Sequence, residues 1–478
     1  MGRFYIENFG CRATQADGAA LENQFLEKGM ERAPAAGDAE IVVLNTCTVT
    51  EGADKDARAL IRRLRRENPA CQILVTGCYA QRAPEELAAI PGVTWVVGNS
   101  HKHLAAEIAV SRDPTSVAGF VPLSQLSPVN RADVIVGDIF AHTELMAAPV
   151  FDSANERTRP NLKVQDGCDN RCSFCVIPSV RGHSRSLPPE RVIAEVRTLA
   201  AAGYREVVIS GINLGRWGRD LESSSQLLVD LVKAILEHTS LEKLRISSVE
   251  PMDWSDELIG VMASSNRIAK HAHVPLQSAS DTVLRRMHRK YRPWHYSEKI
   301  AKIRARMPNA AIGADVMVGF PGETEAEFAE TRRMIEDLPF TYLHVFTYSS
   351  RPGTPAAAQR DQVPVRAARQ RNRILREIAA QKKAAFQQAQ IGKIVQAITL
   401  RSGDGEFTEA LTDNYLKLKI SGPQVANRWV PVLVEGREGD FLLGRVEGTE
   451  TGPVTHSEVT LPNTQKSNNL IDLQPFAG

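Results

Sequence analysis

Six apolar, strand-like segments follow residue 160, and helical patterns separate them. No other feature of the chain constrains its fold as strongly, because strands that alternate with helices pair in parallel and return to the same sheet edge. The strand candidates are residues 161–165, 206–210, 243–247, 270–274, 311–318 and 342–346. Six such units in series predict a parallel sheet, either open or forming most of a (β/α) barrel.

The segments on either side of this series predict three further parts. The first hundred residues also alternate strands with helices, which indicates a parallel α/β domain. Beyond the series, residues 359–386 form a basic helical pattern, and five short strand candidates follow in under sixty residues, which is typical of a small β-barrel. We therefore predict an α/β protein with an N-terminal domain (1–112), a connector containing one hairpin (113–158), a partial barrel plus basic helix (159–386), a small β-barrel (387–450) and a flexible tail (451–478).

Composition excludes several classes of protein. Hydrophobic residues make up 43% of the 478 residues and charged residues 24%, which excludes wholesale disorder. The formal net charge is only +2, so any contact with nucleic acid must use local basic patches. No apolar run approaches the ~18 residues that a membrane helix needs, and the start MGRFYIENFGC lacks a signal-peptide pattern. The sequence predicts a cytoplasmic protein without a membrane partner.

Three of the seven cysteines lie within eight residues, as Cys168-x3-Cys172-x2-Cys175, directly after the first strand of the series. An odd number of cysteines in a large chain argues for reduced thiols rather than a disulfide framework. Three thiolates on one short loop can hold three corners of a four-iron cluster, whereas zinc requires a fourth protein ligand. The pattern favours an iron–sulfur cluster with one iron open to a chelating substrate, and structural zinc is the alternative.

Three remote cysteines, Cys11, Cys47 and Cys78, share one local context. Each comes immediately after an apolar strand, in FYIENFGC, IVVLNTC and ILVTGC. Loops that follow parallel strands meet at one edge of the sheet, where ligands bind. We therefore expect these three cysteines to converge and bind a second iron–sulfur cluster. Cys71 precedes its strand and is expected at the opposite edge in a structural role.

Several motifs together resemble those of the radical S-adenosylmethionine (SAM) methylthiotransferase family. They are GCRATQ at Cys11, NTCTVT at Cys47, TGCYAQ at Cys78, QDGCDNRCSFCVIP at Cys168, and the following RGHSRS. The resemblance extends from residue 1 to about residue 447, where the terminal barrel is similar to a TRAM domain. It implies two [4Fe-4S] clusters and SAM as cofactors, with SAM on the open iron of the Cys168 cluster.

The resemblance also implies where SAM binds. The small residues of SGIN end the second barrel strand, Gln277 ends another strand, and an aromatic side chain in the cysteine loop is expected to pack against adenine. The candidate SAM-binding residues are Phe174, Ser210, Gly211, Asn213, Gln277 and Ser278. No catalytic residue beyond the cluster ligands is expected, because the cofactors carry the difficult chemistry.

The activity implied by this family replaces a carbon-bound hydrogen with a methylthio group and consumes two SAM molecules. The motif TCTVT and the run from Ser210 to Asp220 resemble the branch acting at ring carbon 2 of N6-threonylcarbamoyladenosine, at position 37 of tRNA. The expected partners are the tRNA anticodon stem-loop and an electron donor such as flavodoxin or ferredoxin. Three alternatives stay open: isopentenyladenosine in tRNA as the substrate, an aspartate of a ribosomal protein as the substrate, or a non-catalytic iron–sulfur RNA-binding module.

Two runs of basic residues and the basic helix at 359–386 are candidates for phosphate contacts, with a simple solvated face as the alternative. The small terminal barrel is close to neutral, so an RNA-binding role for it follows from the resemblance alone. The runs are Arg58, Arg62, Arg63, Arg65 and Arg66, and then Arg285, Arg286, Arg289, Lys290 and Arg292.

Overall fold

The computed structural model describes residues 2–110, 132–142, 145, 158–221, 227–403 and 405–448. The predicted tail (451–478) and most of the predicted connector (113–158) lie outside the described residues. Within the described part, the chain forms a six-stranded sheet, an arc of two sheets and a closed five-stranded barrel. Of the described helices, none is long and apolar enough to cross a membrane.

The N-terminal sheet is entirely parallel, with the strand order β2-β1-β3-β4-β5-β6. Its elements are β1 (Arg3–Asn8), α1 (Arg12–Glu27), β2 (Glu31–Arg32), β3 (Ile41–Thr46), α2 (Glu51–Glu67), β4 (Gln72–Gly77), α3 (Cys78–Arg82), α4 (Pro84–Ala88), β5 (Val93–Gly98), α5 (Ala105–Val110) and β6 (Asp133–Ile135). The central strands are buried on both faces, which explains their continuous apolar sequence. The order places β1, β3 and β4 side by side.

Strand β6 corrects the predicted connector. The sequence placed residues 133–135 in a connector with one hairpin, outside a domain ending at residue 112. In the structure they pair in parallel with β5, through Trp95–Asp133, and complete the N-terminal sheet. The strand has only three residues and is partly exposed at a sheet edge, so its sequence lacks the long apolar run that identifies a central strand.

The six predicted strands of the second series form a parallel arc. Its elements are β7 (Asn161–Asp166), α6 (Ile177–Arg181), β8 (Arg185–Ser186), α7 (Pro189–Ala201), β9 (Glu206–Gly211), α8 (Leu228–His238), β10 (Lys243–Ile246), α9 (Asp256–Ser264), β11 (His271–His273), α10 (Asp281–Arg286), α11 (Pro293–Arg306), β12 (Ala311–Val318), α12 (Glu325–Asp337) and β13 (Tyr342–Thr347). The strands form the sheets β10-β9-β7-β8 and β11-β12-β13, and a bridge between Leu244 and Ile268 joins them. The short β8 is antiparallel to β7. This is the predicted partial (β/α)6 barrel.

Side chains alternate along the barrel strands between an apolar outer face and a polar inner face. Leu162 and Val164 of β7 pack in the outer hydrophobic cluster, and Lys163 and Gln165 between them lie on the opposite face. The inner face of the other strands carries further polar residues: Glu206, Ser210, Arg245, His271, His273, Asp315 and His344. The interior of the barrel is therefore polar and can accept charged ligands.

The basic helix α13 (Val365–Gln388) begins six residues later than predicted. Pro364 occupies its N-cap position, and a residue before proline is disfavoured in helical conformation, so the chain before it stays non-helical. Helix α13 packs along β13 and ends against the terminal barrel, where Gln387 donates a 2.9 Å hydrogen bond to the carbonyl of Asp440. The helix thus connects the two barrels.

The terminal barrel is closed in the order β14-β15-β16-β18-β17. Its strands are β14 (Ile394–Gly403), β15 (Phe407–Thr412), β16 (Lys417–Ser421), β17 (Trp429–Glu438) and β18 (Phe441–Val446). The turn between β15 and β16 inserts Tyr415 into the partial barrel, where its ring lies 4.7 Å from that of His271. Arg12, next to Cys11, donates a 3.3 Å hydrogen bond to the Tyr415 hydroxyl. All three parts of the chain therefore meet at this tyrosine.

Candidate active site

The first site contains Cys168, Cys172 and Cys175, which we call the loop triad. The triad follows β7, at the carboxyl edge of the barrel where ligands of parallel α/β folds bind. The backbone N–H of Cys168 donates to the carbonyl of Gly182 (3.1 Å), and its sulfur accepts from the N–H of Asn170 (3.4 Å). These bonds hold the loop in a turn that points its thiols towards the barrel opening.

The second site contains Cys11, Cys47 and Cys78, which we call the N-terminal triad. Because β1, β3 and β4 are neighbours, the three loops that follow them are neighbours too. Gly10 has φ +100°, and a Cβ there would lie 2.5 Å from the Cβ of Cys47 and 2.9 Å from its sulfur. Only glycine lets the chain bring Cys11 this close to Cys47. The convergence predicted from the sequence is therefore present in the structure, and Cys71 lies at the other edge, in the core beneath β4.

Helix α6 separates the two triads and contacts both. It begins two residues after Cys175, and Val176 and Val180 form one hydrophobic cluster with Cys78. The side-chain amide of Asn99 reinforces this contact, because it donates to the carbonyl of Val180 (2.8 Å) and lies 3.6 Å from the sulfur of Cys78. The two cysteine sites consequently lie side by side at one shared edge.

The environment of the thiols fits metal clusters better than free thiolates. All seven cysteines are unpaired thiols. Burial, together with the neighbouring Cys11 and Cys78, raises the pKa of Cys47 to about 12. Burial and the neighbouring loop-triad cysteines likewise raise the pKa of Cys175 to about 12. Three thiolates this close and this buried repel one another, and iron cations that take them as ligands remove that cost.

A buried network of charged side chains joins the N-terminal domain to the barrel beside the N-terminal triad. Asp17 of α1 accepts from Lys102 (2.9 Å), from Arg181 (3.0 Å) and from Lys163 of β7. Asp166 accepts from Lys163 (2.8 Å) and Arg181 (2.9 Å). Three cations therefore face two carboxylates, and the surplus positive charge lies where cysteine ligands carry negative charge. The sequence analysis did not identify this network, although Arg181 begins the RGHSRS motif.

Three of the predicted SAM-binding residues keep buried polar atoms without a partner among the described residues. These atoms are the hydroxyl oxygen of Ser210 and the side-chain carbonyl oxygens of Asn213 and Gln277. Such atoms are nearly always hydrogen-bonded in folded proteins, so they indicate room for a polar ligand. The amide nitrogen of Asn213 lies 3.6 Å from the Cys168 sulfur, which places this group at the loop triad. A ligand with ammonium and hydroxyl donors, such as SAM, fits these acceptors.

The other three predicted SAM residues differ in their surroundings. Phe174 is half-buried and packs edge-on against Phe320, with ring centroids 6.4 Å apart, so part of its ring faces outward from the cysteine loop. A Cβ at Gly211 would lie 2.8 Å from the side-chain oxygen of Gln165, so packing alone already requires a glycine there. Ser278 is a correction: it is fully buried, and its hydroxyl bonds Thr331 (3.2 Å) and accepts from the N–H of Ser280, which leaves no atom for a ligand.

Arg289 and Glu250 are site residues that the sequence analysis did not identify. Arg289 donates a 3.2 Å hydrogen bond to the sulfur of Cys172 and pairs with Glu250. Its guanidinium also lies over the ring of Tyr291, 5.0 Å from the centroid. The available signal was the position of Glu250 directly after a barrel strand; Arg289 was read only as part of a basic run.

The remaining basic residues of that run are not a free phosphate-binding surface. Arg285 (2.9 Å) and Arg292 (3.2 Å) both pair with Asp281, and Arg286 pairs with Glu327 (3.0 Å). The phosphate-contact hypothesis is therefore wrong for most of this run. The arginines at the end of α2 are different, because Arg62, Arg63, Arg65 and Arg66 are exposed.

Comparison with known proteins agrees with both sites. Residues 3–98 match the family model described as "Uncharacterized protein family UPF0004", and residues 162–335 match "Radical SAM superfamily". Among solved structures, the radical SAM methyltransferase TsrM of Kitasatospora setae superposes with a TM-score of 0.52 at 15% identity, covering 75% of this chain and 77% of that one. At that identity the similarity concerns the fold alone.

Full-length relatives extend the match. The chain is 37% identical to the threonylcarbamoyladenosine tRNA methylthiotransferase MtaB of Bacillus subtilis, over 89% of this chain and 91% of the relative. It is 36% identical to the MtaB of Aquifex aeolicus (90% and 99%) and 30% identical to a tRNA-2-methylthio-N(6)-dimethylallyladenosine synthase of Bacillus velezensis (89% and 81%). The two cysteine triads, the partial barrel and this similarity lead to one conclusion: the chain belongs to the radical-SAM methylthiotransferase family.

Proposed function

We propose that the protein inserts a methylthio group at ring carbon 2 of N6-threonylcarbamoyladenosine at position 37 of tRNA. The observation that carries the reaction type is the pair of cysteine triads at one edge, separated only by helix α6. The substrate rests on the relatives that share 34–37% identity over most of the chain and are named for threonylcarbamoyladenosine in tRNA.

We assign the loop triad and the N-terminal triad as ligands of two [4Fe-4S] clusters. When bound, the cluster on the loop triad supplies the electron for reductive cleavage of SAM, and the cluster on the N-terminal triad carries the sulfur that is transferred. The chain itself holds SAM through the acceptors of Ser210, Asn213 and Gln277, with Phe174 as an apolar wall. This polar interior, enclosed by the outer helices, excludes bulk water from the reacting carbon.

Arg289 has a positioning role in this assignment. Its hydrogen bond to the Cys172 sulfur fixes the orientation of that ligand, and Glu250 and Tyr291 hold the guanidinium in place. A cation beside a cluster ligand also favours the reduced, more negative state of a cluster. Reduction of the cluster is the event that starts the reaction, so this residue acts on the rate-enabling step.

We further propose that the anticodon stem-loop is the part of tRNA that the enzyme contacts, since position 37 lies beside the anticodon. A small electron-transfer protein such as flavodoxin or ferredoxin would supply the electrons, and the reaction would take place in the cytoplasm. The exposed arginines of α2 lie on the chain segment directly after the Cys47 loop, which supports their use as phosphate contacts.

Nucleoside mass spectrometry of tRNA from a deletion strain tests the proposed substrate. We expect loss of 2-methylthio-threonylcarbamoyladenosine, accumulation of its unthiolated precursor, and recovery on complementation with the wild-type gene. Complementation with a variant in which the loop triad is replaced by alanine should not restore the modification. Loss of the methylthio-isopentenyl nucleoside alone, an altered ribosomal protein, or unchanged tRNA would each contradict the proposal.

A further inference from the structure

Beside the loop triad lies a cavity of ≈ 160 Å³ whose lining includes Arg216, Arg219 and Lys290. Asp169 and Asn170 of the cysteine loop and Asn213 also line it, so the cavity adjoins the place where the reaction occurs. One water molecule needs about 10–15 Å³ by a comparable measure, so the cavity admits a group of several heavy atoms.

The cations of this cavity have hydrogen-bonding capacity to spare. Arg216 and Arg219 approach the same carboxylate oxygen of the buried Asp253, at 3.2 Å and 3.1 Å. Each guanidinium carries five N–H donors, and among the described residues no hydrogen bond involves either terminal nitrogen of Arg216. Lys290 is exposed at the rim. Three cationic groups thus converge on one cavity with most of their donors unused.

The carboxylates of the lining do not use these donors. Asp220 accepts from the backbone N–H (2.7 Å) and the hydroxyl (2.6 Å) of Ser186, and Asp169 bonds the ring of His183 (2.8 Å). Both are therefore committed to other parts of the barrel edge. The cavity is left with donors facing inward and few acceptors, which is the arrangement that binds a carboxylate.

We propose that Arg216 and Arg219, with Lys290 at the rim, bind the free carboxylate of the threonylcarbamoyl group and so determine substrate specificity. This inference rests on the proposed function, because it assigns the part of the substrate that distinguishes threonylcarbamoyladenosine from isopentenyladenosine. An isopentenyl group has no charge and would leave these donors unpaired, which disfavours its binding. SAM also carries a carboxylate, and the test must separate the two sources.

The test uses the reconstituted holoenzyme without reductant, so that binding is measured and no turnover occurs. Three fluorescent anticodon stem-loops differ only at residue 37, which is adenosine, threonylcarbamoyladenosine, or threonylcarbamoyladenosine with its acid converted to an amide. We expect the wild type to bind the acid about tenfold to a hundredfold more tightly than the amide, as for a charge-assisted, two-pronged hydrogen bond. All three RNAs carry the same phosphates, so this ratio reports the carboxylate alone.

Arg216→Gln and Arg219→Gln should reduce the acid-to-amide ratio towards one, while Arg333→Gln, an exposed arginine on α12, should keep it. Lys290→Gln, at the exposed rim, should lower the ratio about two- to fivefold and keeps the test valid if an arginine variant does not fold. SAM affinity, measured by equilibrium dialysis, should stay within twofold of the wild type in all variants.

A ratio that the arginine variants leave unchanged overturns the inference. Loss of SAM affinity with an unchanged ratio also overturns it, because the cavity would then hold the carboxylate of SAM. A wild type that does not distinguish acid from amide overturns it even if threonylcarbamoyladenosine is methylthiolated, so the proposed function can survive its failure. Methylthiolation of isopentenyladenosine alone would overturn the proposed function as well.

Discussion

Replacing Arg289 by glutamine should lower the reduction potential of the cluster on the loop triad. The guanidinium nitrogen lies 3.2 Å from the Cys172 sulfur, so its positive charge is within ~6 Å of the centre of a bound cluster. At an effective dielectric constant of about 20, one charge at that distance contributes roughly 3 kcal/mol in favour of the added electron. Glu250, paired with Arg289, offsets about half of this contribution. The remaining ~1.4 kcal/mol corresponds to a decrease of about 60 mV for a one-electron couple.

Two further variants make the sign of this effect testable. Arg289→Lys keeps the charge without the planar fork, so its potential should fall by less than that of Arg289→Gln. Glu250→Gln removes the offsetting negative charge, and its potential should rise by a similar amount. The assay is a redox titration followed by electron paramagnetic resonance, in protein whose N-terminal triad is replaced by alanine so that one cluster is observed.

Iron content must be equal in all of these samples, because a missing cluster would imitate a weaker signal. A change of less than about 15 mV in Arg289→Gln, or a rise, would refute the electrostatic argument. A fall in both Arg289→Gln and Glu250→Gln would show that loss of ligand geometry, rather than charge, controls the potential.

Three further predictions concern the clusters, the buried charges and the RNA. Replacing the loop triad by alanine should reduce iron from about eight to about four per chain and abolish SAM cleavage; replacing the N-terminal triad should halve iron but keep cleavage, and Cys71→Ala should do neither. Iron analysis and 5′-deoxyadenosine production measure this, and cleavage by the loop-triad variant would contradict it. Asp17→Asn leaves buried cations short of a carboxylate, so it should cost about 3 kcal/mol and speed hydrogen exchange in α1 about a hundredfold; unchanged exchange would refute this. Neutralising Arg62, Arg63 and Arg66 should reduce the log–log salt dependence of RNA binding by about 0.7 for each phosphate that the protein no longer neutralises, and an unchanged slope would make them a solvated face.

Periodicity was sufficient to predict the architecture, because each barrel strand shows apolar residues and each loop follows at the same edge. The predicted segment at 311–318 coincides with β12, and the other five barrel strands differ by one or two residues at their ends. Strand β6 was missed because three partly exposed residues carry almost no periodic signal. Helix α1 begins at Arg12, directly after Cys11, whereas the sequence indicated a helix only from residue 18.

The cysteine sites were predictable because their ligands are chemically distinctive and local in sequence. The polar residues around them were not, since Lys163, Asp17 and Arg181 come from segments up to 164 residues apart. Within the barrel strands such residues occupy alternate positions, and a sequence shows that they are polar without showing which charges face each other. Arg289 illustrates the difficulty: five basic residues in eight indicate a surface, yet this one is 5% exposed in its side chain and contacts a cysteine.

Helix α6 connects the two chemistries physically, and this connection explains why a short segment carries so many constraints. Its first turn follows Cys175, its apolar side packs against Cys78, and Arg181 at its end reaches Asp17 and Asp166. Any shift of the loop triad is therefore transmitted through five residues to the N-terminal triad, without a flexible linker between them. Sulfur transfer requires that the sulfur-carrying cluster and the activated substrate carbon keep a fixed separation, and a misplacement of about 1 Å can cost a hundredfold in rate. The buried ion pairs at the end of α6 hold that separation, because the helix cannot move away from α1 without separating charges in a water-poor interior.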